Sequence, residues 1–266
     1  MKLLFGVLIL AASAHAQLDT RIPQMSCDNG GNYDRNRQRF CEVREQTIPG
    51  VGRLTVDPGK NGGVTVKGWL RNDVSIRSRV ETWAPSAGEA GTLAGLVRVD
   101  ASAGQIKASG PDLQRDSSWS VSYEIFIPQN SDLSMTSFNG SINVSDVRGR
   151  IEFDAKNGGV RLTRVAGDVR GQTSNGGIHV ELSGSTWEGG QLDARTTNGS
   201  VIVGVPEKYS AHIQADTVNG VFDSDFPLSV NVNGRPRPRT LDFSVGSGGP
   251  VVHVSTTNGN VKFQRI

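Results

Sequence analysis

Acidic and basic side chains that could cleave a polysaccharide are concentrated between residues 146 and 181 of this chain. Such cleavage needs two convergent carboxylates, or an acidic metal-binding cluster with a basic residue nearby. The candidates are Asp146, Glu152, Asp154, Asp168, Glu181, Arg148, Arg150, Arg161, Arg164 and Arg170. Their signs alternate at positions predicted to face solvent, a pattern typical of cross-strand ion pairing on a sheet surface. We therefore assign no catalytic residue.

The other reactive side chains form no recognisable site. Neither of the two cysteines, Cys27 and Cys41, stands beside a candidate base, and a second pair of ligands at zinc-binding spacing is missing. The chain also has no Gly-x-Ser-x-Gly elbow for a serine nucleophile. Outside the N-terminal segment the histidines are His179, His212 and His253, predicted to be ordinary surface or edge residues. We predict no metal, no cofactor and no enzymatic activity.

Six Asn-Gly pairs divide the second half of the chain into a repeat. Their asparagines are Asn139, Asn157, Asn175, Asn198, Asn219 and Asn258, at intervals of 18, 18, 23, 21 and 39 residues. A repeat of about 20 residues is typical of an architecture in which structural units stack on one another. The sequence therefore predicts a stack of short β units.

Residues at fixed offsets from each asparagine predict two strands per unit. The position six residues before it is always aliphatic: Leu133, Ile151, Val169, Leu192, Ile213 and Val252. The position three residues after it is always apolar: Ile142, Val160, Ile178, Val201, Phe222 and Val261. Polar residues occupy most of the positions between these apolar ones, as in strands with one buried face. We expect the Asn and Gly residues to supply the positive φ angles of a tight turn.

The residue two positions before each asparagine is small or carries a hydroxyl group, and it lies on the same inward face as the aliphatic residues. Its threonines, Thr173, Thr196, Thr217 and Thr256, are therefore predicted to face inward and bond backbone near the turn. The predicted fold is all-β, an elongated β-solenoid of two-stranded coils in which the asparagines can form a hydrogen-bonded ladder. An antiparallel β-meander or sandwich is the alternative, because a hairpin places the same residues on one face.

The segment before the repeat is less regular. Asn61-Gly62, followed by Val64 and Val66, fits half of the repeat pattern, so the array is predicted to begin there in degenerate form. Residues 84–95 read as a loop, and the sequence shows no amphipathic helix of convincing length.

The N-terminal sequence predicts that the protein is exported. Lys2, the apolar stretch 3–12 and the small residues around His15 fit a signal peptide of residues 1–16, cleaved before Gln17. Residues 17–45 are predicted to form a leader closed by a Cys27–Cys41 disulfide, and residues 46–266 a β-repeat domain that is most regular over 131–266. The expected location is periplasmic, cell-surface or secreted, with no transmembrane segment in the mature chain.

Charge offers one candidate contact site. A net charge of +2 gives no electrostatic reason to expect nucleic acid as a partner. Arg235, Arg237 and Arg239 alternate with prolines, which predicts a stiff, extended loop able to contact an anionic partner such as a polysaccharide. Exposed tryptophans would be a second route to sugar binding.

One sequence pattern, an aliphatic residue and proline followed by an Asn-Gly pair, occurs twice. It runs from Ile127-Pro128 to Asn139-Gly140 and from Val205-Pro206 to Asn219-Gly220. Together with the Asn-Gly columns it resembles the bacterial putative adhesin family of unknown function, over roughly residues 50–266. The resemblance implies an exported protein with a β-solenoid-like repeat and assigns no catalytic residue. We predict a non-enzymatic cell-envelope protein in adhesion or scaffolding, whose partner would be a surface polysaccharide or envelope protein. The alternative is a carbohydrate-binding or carbohydrate-cleaving β-helix protein.

Overall fold

The computed structural model describes residues 25–28, 36–112, 116–226 and 239–266. The predicted signal peptide (1–16) lies outside these residues, and so do Arg235 and Arg237. In chain order the elements are β1 (Gln38–Pro49), β2 (Arg53–Asp57), β3 (Val64–Trp69), β4 (Asp73–Ala84), α1 (Ala87–Leu96), β5 (Arg98–Ser102), β6 (Gln105–Ser109), β7 (Ser118–Pro128), β8 (Asp132–Asn139), β9 (Ile142–Ser145), β10 (Arg148–Asn157), β11 (Val160–Thr163), β12 (Ala166–Asn175), β13 (Ile178–Glu181), β14 (Leu192–Asn198), β15 (Val201–Val205), β16 (Ala211–Asn219), β17 (Phe222–Ser224), β18 (Thr240–Val245), β19 (Val251–Asn258) and β20 (Val261–Arg265).

The strands form two ten-stranded sheets, and each repeat unit contributes one strand to each sheet. We call two such strands, with the Asn-Gly turn between them, a coil. In space the coils run in the order β2–β3, β8–β9, β10–β11, β12–β13, β14–β15, β19–β20 and β16–β17. Neighbouring coils pair in parallel with asparagine opposite asparagine, as at Asn157 and Asn175. The β-solenoid prediction is confirmed, and the meander or sandwich alternative is wrong for the repeat.

Antiparallel pairing occurs only at the two ends of the stack in the described residues. β7, β4 and β1 extend the first sheet beyond β3, β6 and β5 extend the second beyond β2, and β18 pairs with β16 at the opposite end. Asn61 forms a parallel bridge with Asn139, which confirms that the array begins at the Asn61-Gly62 turn. At about 4.8 Å between strands, ten strands span about 43 Å.

Stacking order departs from chain order near the C-terminal end of the repeat. β19 pairs with β14 on one side and with β16 on the other. Residues 251–265 therefore lie between two coils that precede them in the sequence. The 39-residue interval between Asn219 and Asn258 contains β18, which lies outside the coils, and the connection back to this position.

Alternate residues of each strand fill the space between the sheets. In β10, Ile151, Phe153 and Ala155 are buried, whereas Glu152 and Asp154 between them reach the surface. The aliphatic positions predicted from the sequence form this core along the stack. Each fully buried aliphatic side chain contributes about 1.5–3 kcal/mol, so the repeated inward positions are the main source of stability.

The Asn-Gly turns use glycine for close approach. None of the glycines in the six Asn-Gly pairs of the repeat, all in the described part, has a left-handed φ, so the expectation of positive φ angles is wrong for them; only Gly62, in the degenerate first turn, has one, at 139°. A Cβ on Gly176 would instead lie 2.2 Å from the carbonyl oxygen of Gly158 in the neighbouring coil. A left-handed backbone is needed at the bend between one coil and the next, where Gly167, at the start of β12, has a φ of 111°.

Hydroxyl groups beside these turns connect neighbouring coils. The Thr196 hydroxyl donates to the carbonyl oxygen of Gly176 at 2.8 Å, and Thr173, Thr217 and Thr256 make equivalent bonds at 2.8–2.9 Å. All four side chains are buried. The predicted inward orientation of the threonines is confirmed.

The loop predicted at residues 84–95 is wrong, because most of it belongs to α1. Ser86 caps this helix by accepting a hydrogen bond from the backbone nitrogen of Glu89 at 3.2 Å. The helix packs on β1 and β4 and buries the small residues Ala90 and Ala94. Packing through alanine and glycine leaves no apolar periodicity to detect, although the Ser86-x-x-Glu89 pattern is a recognisable N-terminal cap.

Candidate functional surfaces

Most carboxylates identified from the sequence are ion-paired. On the outer face of the sheet that contains β10, β12 and β14, Glu152 contacts Arg150 at 2.8 Å and Arg53 at 2.9 Å. The other pairs are Asp146–Arg164 at 2.7 Å, Asp168–Arg170 at 3.2 Å, Glu181–Arg161 at 3.3 Å and Asp193–Arg195 at 2.7 Å. Asp146–Arg164 and Glu181–Arg161 join adjacent coils, as expected for cross-strand pairing, whereas the arginines at 150, 170 and 195 each pair with a carboxylate two residues away in the same strand. Exposed pairs of this kind contribute at most about 1 kcal/mol each, so they form a solvated polar surface.

A shallow depression of about 360 Å³ lies on this outer face. Its charged lining residues are Glu152, Asp154, Arg170, Asp193 and Arg195. Burial raises the pKa of Asp193, but hydrogen bonds from Arg195 and His253 outweigh this effect and lower that pKa below its usual value. Asp154 makes no ion pair with another described residue. Because Asp193 is held ionised, it does not offer the raised-pKa acid that glycoside cleavage requires.

Two of the histidines, His253 and His212, connect neighbouring strands. His253 on β19 lies 2.9 Å from Asp193 on β14 through Nδ1 and 3.0 Å from Asp216 on β16 through Nε2. His212 lies 3.0 Å from Asp242 on β18. The described residues hold no group of three or more His, Cys, Asp or Glu suited to a metal ion. The His253 contacts were not predicted from the sequence, because the three strands are adjacent only through the inserted coil.

A small aromatic cluster lies on the opposite sheet. Trp69 stacks on Phe126 with ring centroids 5.4 Å apart, and the Arg71 guanidinium lies 4.3 Å from the Trp69 ring centre. Trp119 and Trp187 are buried. In the part of the chain that the structure describes, the tryptophans therefore do not form the exposed strip expected of a sugar-binding surface.

The turn edge of the stack carries a ladder of asparagine side chains. Its members in spatial order are Asn61, Asn139, Asn157, Asn175, Asn198, Asn258 and Asn219. Each Nδ2 after that of Asn61 donates to the Oδ1 of the preceding member at 2.7–2.9 Å. The Asn61 Nδ2 donates instead to the Trp119 carbonyl oxygen at 3.4 Å. Phe138 and Val218, directly before two of these asparagines, are 53% and 49% exposed. This exposure was not predicted, although an apolar residue at a position that the strand alternation places outside is the sequence signal for it.

Comparison with known proteins identifies the family. The family model described as Toastrack DUF4097 matches residues 73–264, which is most of the chain. The chain belongs to the Toastrack DUF4097 family. The predicted resemblance to a bacterial putative adhesin family of unknown function is thereby confirmed.

Solved structures that resemble this Toastrack chain share little sequence with it. One is a putative cell adhesion protein from Clostridium sporogenes ATCC 15579, with a TM-score of 0.45, 9% identity and coverage of 85% of this chain and 100% of the other. Another is a putative adhesin from Parabacteroides merdae ATCC 43184, with a TM-score of 0.40, 10% identity and coverage of 84% and 95%. No curated protein matches the chain.

Two segments of this Toastrack chain depart from the repeat pattern: the predicted N-terminal leader and the arginine–proline loop. Cys27 and Cys41 form a disulfide before the residues that the family model matches. Arg39 secures the same segment by donating to the Cys27 carbonyl oxygen at 3.2 Å and to Glu81. Of the arginine–proline loop only Arg239 is described: it is exposed, and its carbonyl oxygen accepts a hydrogen bond from the Thr217 backbone at 2.9 Å. In the described residues no helix has the length and apolar character needed to cross a membrane.

Proposed function

We propose that this chain is a non-enzymatic, exported cell-envelope protein that acts in adhesion or structural scaffolding. The supporting observation is that its potentially reactive groups already bond to one another. Outward carboxylates pair with arginines, and His253 bridges two aspartates. The amide ladder and the threonine hydroxyls join coil to coil, which suits a stiff support with broad outer faces.

Export is the first testable part of the proposal. A disulfide forms and persists in oxidising compartments, and the Cys27–Cys41 bond lies close after the predicted cleavage point. Intact-mass analysis of protein purified from fractionated native cells should show a chain that begins at Gln17 with both cysteines oxidised. Full-length protein with free thiols in the cytosol would contradict export and the predicted cleavage after residue 16.

Adhesion is the second part, with a surface polysaccharide or an envelope protein as partner. A glycan array and a whole-cell binding assay on the mature protein should give saturable binding in at least one format. Negative results in both would overturn adhesion and leave scaffolding. Release of new sugar ends from a bound polysaccharide would instead support the carbohydrate-cleaving alternative.

The arginine–proline loop is the proposed contact for an anionic partner. Replacing Arg235, Arg237 and Arg239 together with glutamine should abolish or strongly weaken binding, and raised salt should mimic this loss. A matched control removes the same charge from arginines that are already ion-paired, by replacing Arg150, Arg170 and Arg195 with glutamine. Unchanged binding by the loop variant would exclude the loop as the contact without excluding adhesion.

A further inference from the structure

The backbone amides of the turn glycines differ in a way that follows the order of the coils. Six of them donate to the asparagine carbonyl oxygen of the next coil in the stack. The donors are Gly62, Gly140, Gly158, Gly176, Gly199 and Gly259, at 2.9–3.2 Å. The seventh, Gly220, belongs to the last coil, and its N–H donates no hydrogen bond to any described residue.

The asparagine side chains show the same difference. In each of the five inner coils the asparagine side chain both donates to one neighbour and accepts from the other. Asn219, at the end, donates to Asn258 at 2.8 Å, and its Oδ1 accepts from no described residue. It is exposed to solvent. Among the described residues, Asn219-Gly220 therefore combines an asparagine side chain held by one hydrogen bond with a glycine nitrogen held by none.

This arrangement matters because an Asn-Gly bond can rearrange without an enzyme. The glycine nitrogen attacks the asparagine Cγ, a C–N bond forms, and Nδ2 leaves as ammonia to give a cyclic imide. Water then opens the imide at either carbonyl, which yields aspartate or isoaspartate. The net change is one water consumed and one ammonia released. The attacking nitrogen must lose its proton and turn toward Cγ, so a hydrogen bond that holds its N–H in the stack opposes the reaction.

We propose that Asn219 is the deamidation site of the folded amide ladder and that stacking protects the other six asparagines. The product carboxylate lacks the Nδ2 donor, so Asn219 loses its bond to the Oδ1 of Asn258. An isoaspartate also adds one backbone carbon at the end of β16. Both changes affect the terminal coil and leave the inner coils intact.

Peptide mapping of the full chain tests the proposal. The folded protein is incubated at mildly alkaline pH, digested and analysed by mass spectrometry for conversion at each of the seven ladder asparagines. A parallel sample in denaturant gives the intrinsic rates. We expect Asn219 to react about tenfold faster than the inner asparagines in the folded state, because the others must first release a backbone hydrogen bond. In denaturant the seven rates should converge.

Two substitutions serve as a matched pair. Asn219→Gln should remove most ladder deamidation, because the longer side chain closes a less favourable ring, whereas Asn157→Gln should leave the main signal in place. The proposal fails if Asn219 reacts no faster than the inner asparagines in the folded wild type, or if its advantage persists in denaturant. The wild-type measurement decides the matter even if a variant folds poorly.

Discussion

Replacing Gly176 by alanine tests whether the Asn-Gly turns require glycine for close packing. The added Cβ would lie 2.2 Å from the Gly158 carbonyl oxygen and 2.8 Å from the Gly159 nitrogen. These are backbone atoms fixed on both sides by the sheets, so no flexible side chain can move aside. Reaching an ordinary contact of 3.4 Å requires about 1.2 Å of separation between the coils.

That separation sets the expected loss of stability. The hydrogen bonds that join these two coils beside the turn, from Gly158 to Asn175 and from Val160 to Gly177, are both 2.9 Å, and neither tolerates a shift of this size. Losing two backbone bonds costs about 1 kcal/mol each, and the remaining strain about 1–3 kcal/mol. We expect a decrease of about 3–5 kcal/mol in the free energy of unfolding and of about 10 °C in Tm.

Urea and thermal unfolding, followed by circular dichroism, provide the measurement. The control is Gly190→Ala, whose Cβ would meet its nearest atom, the Asp168 Cβ, at 3.8 Å and whose φ is not left-handed. Gly190→Ala should match the wild type or be slightly more stable, because alanine restricts the unfolded chain. Equal unfolding midpoints for the two variants would refute the close-approach explanation.

Three other stability effects follow from single contacts. Thr196→Val should lower the free energy of unfolding by about 1 kcal/mol in urea titrations, and Thr196→Ser should restore most of it, because only the hydroxyl bonds the neighbouring coil. Burial and a neighbouring arginine lower the pKa of His179 below 6.5, so the unfolded chain takes up the proton first. Stability measured against pH should therefore fall on acidification from neutral through the ordinary histidine range, and less steeply in His179→Gln; equal slopes would exclude this cause. Replacing Cys27 and Cys41 by serine should lower the free energy of unfolding by about 3 kcal/mol, because the disulfide restricts a loop with a sequence separation of 14 residues in the unfolded chain. An unchanged midpoint in urea would show that the segment adds nothing to global stability.

The inward face of each coil was predictable because burial selects residue type. Ile151 and Val169 occupy the same position in neighbouring strands and face the same core, so the offsets from asparagine fixed their register correctly. The inward orientation of Thr196 was predictable for a related reason. Thr196 lies an even number of residues from the inward-facing residues of its strand, so its side chain faces the core, and a buried hydroxyl needs a nearby carbonyl. The amide ladder followed once parallel stacking was assumed.

The order of the last coils was not predictable in the same way. β14, β16 and β19 carry equivalent residues at equivalent positions, so any of them packs acceptably on any other. The contacts that distinguish the observed order, between His253 and the two aspartates Asp193 and Asp216, join residues far apart in sequence. The ion-paired outer face was correctly anticipated as a surface, and its arginine–carboxylate pairs join residues of the earlier coils, where stacking follows chain order.

The inserted position of β19–β20 has a consequence for how the molecule is built. A solenoid whose layers follow chain order can add each layer as that segment becomes available. Here the β16–β17 layer can reach its final neighbour only after residues 251–265 have entered between it and β14–β15. The β16–β17 layer must therefore remain unpacked until then, or it must leave a temporary position when residues 251–265 arrive. Completion of the stack depends on the segment synthesised after all the other layers, and a chain truncated before it would have two layers whose strands do not pair with each other in the native stack.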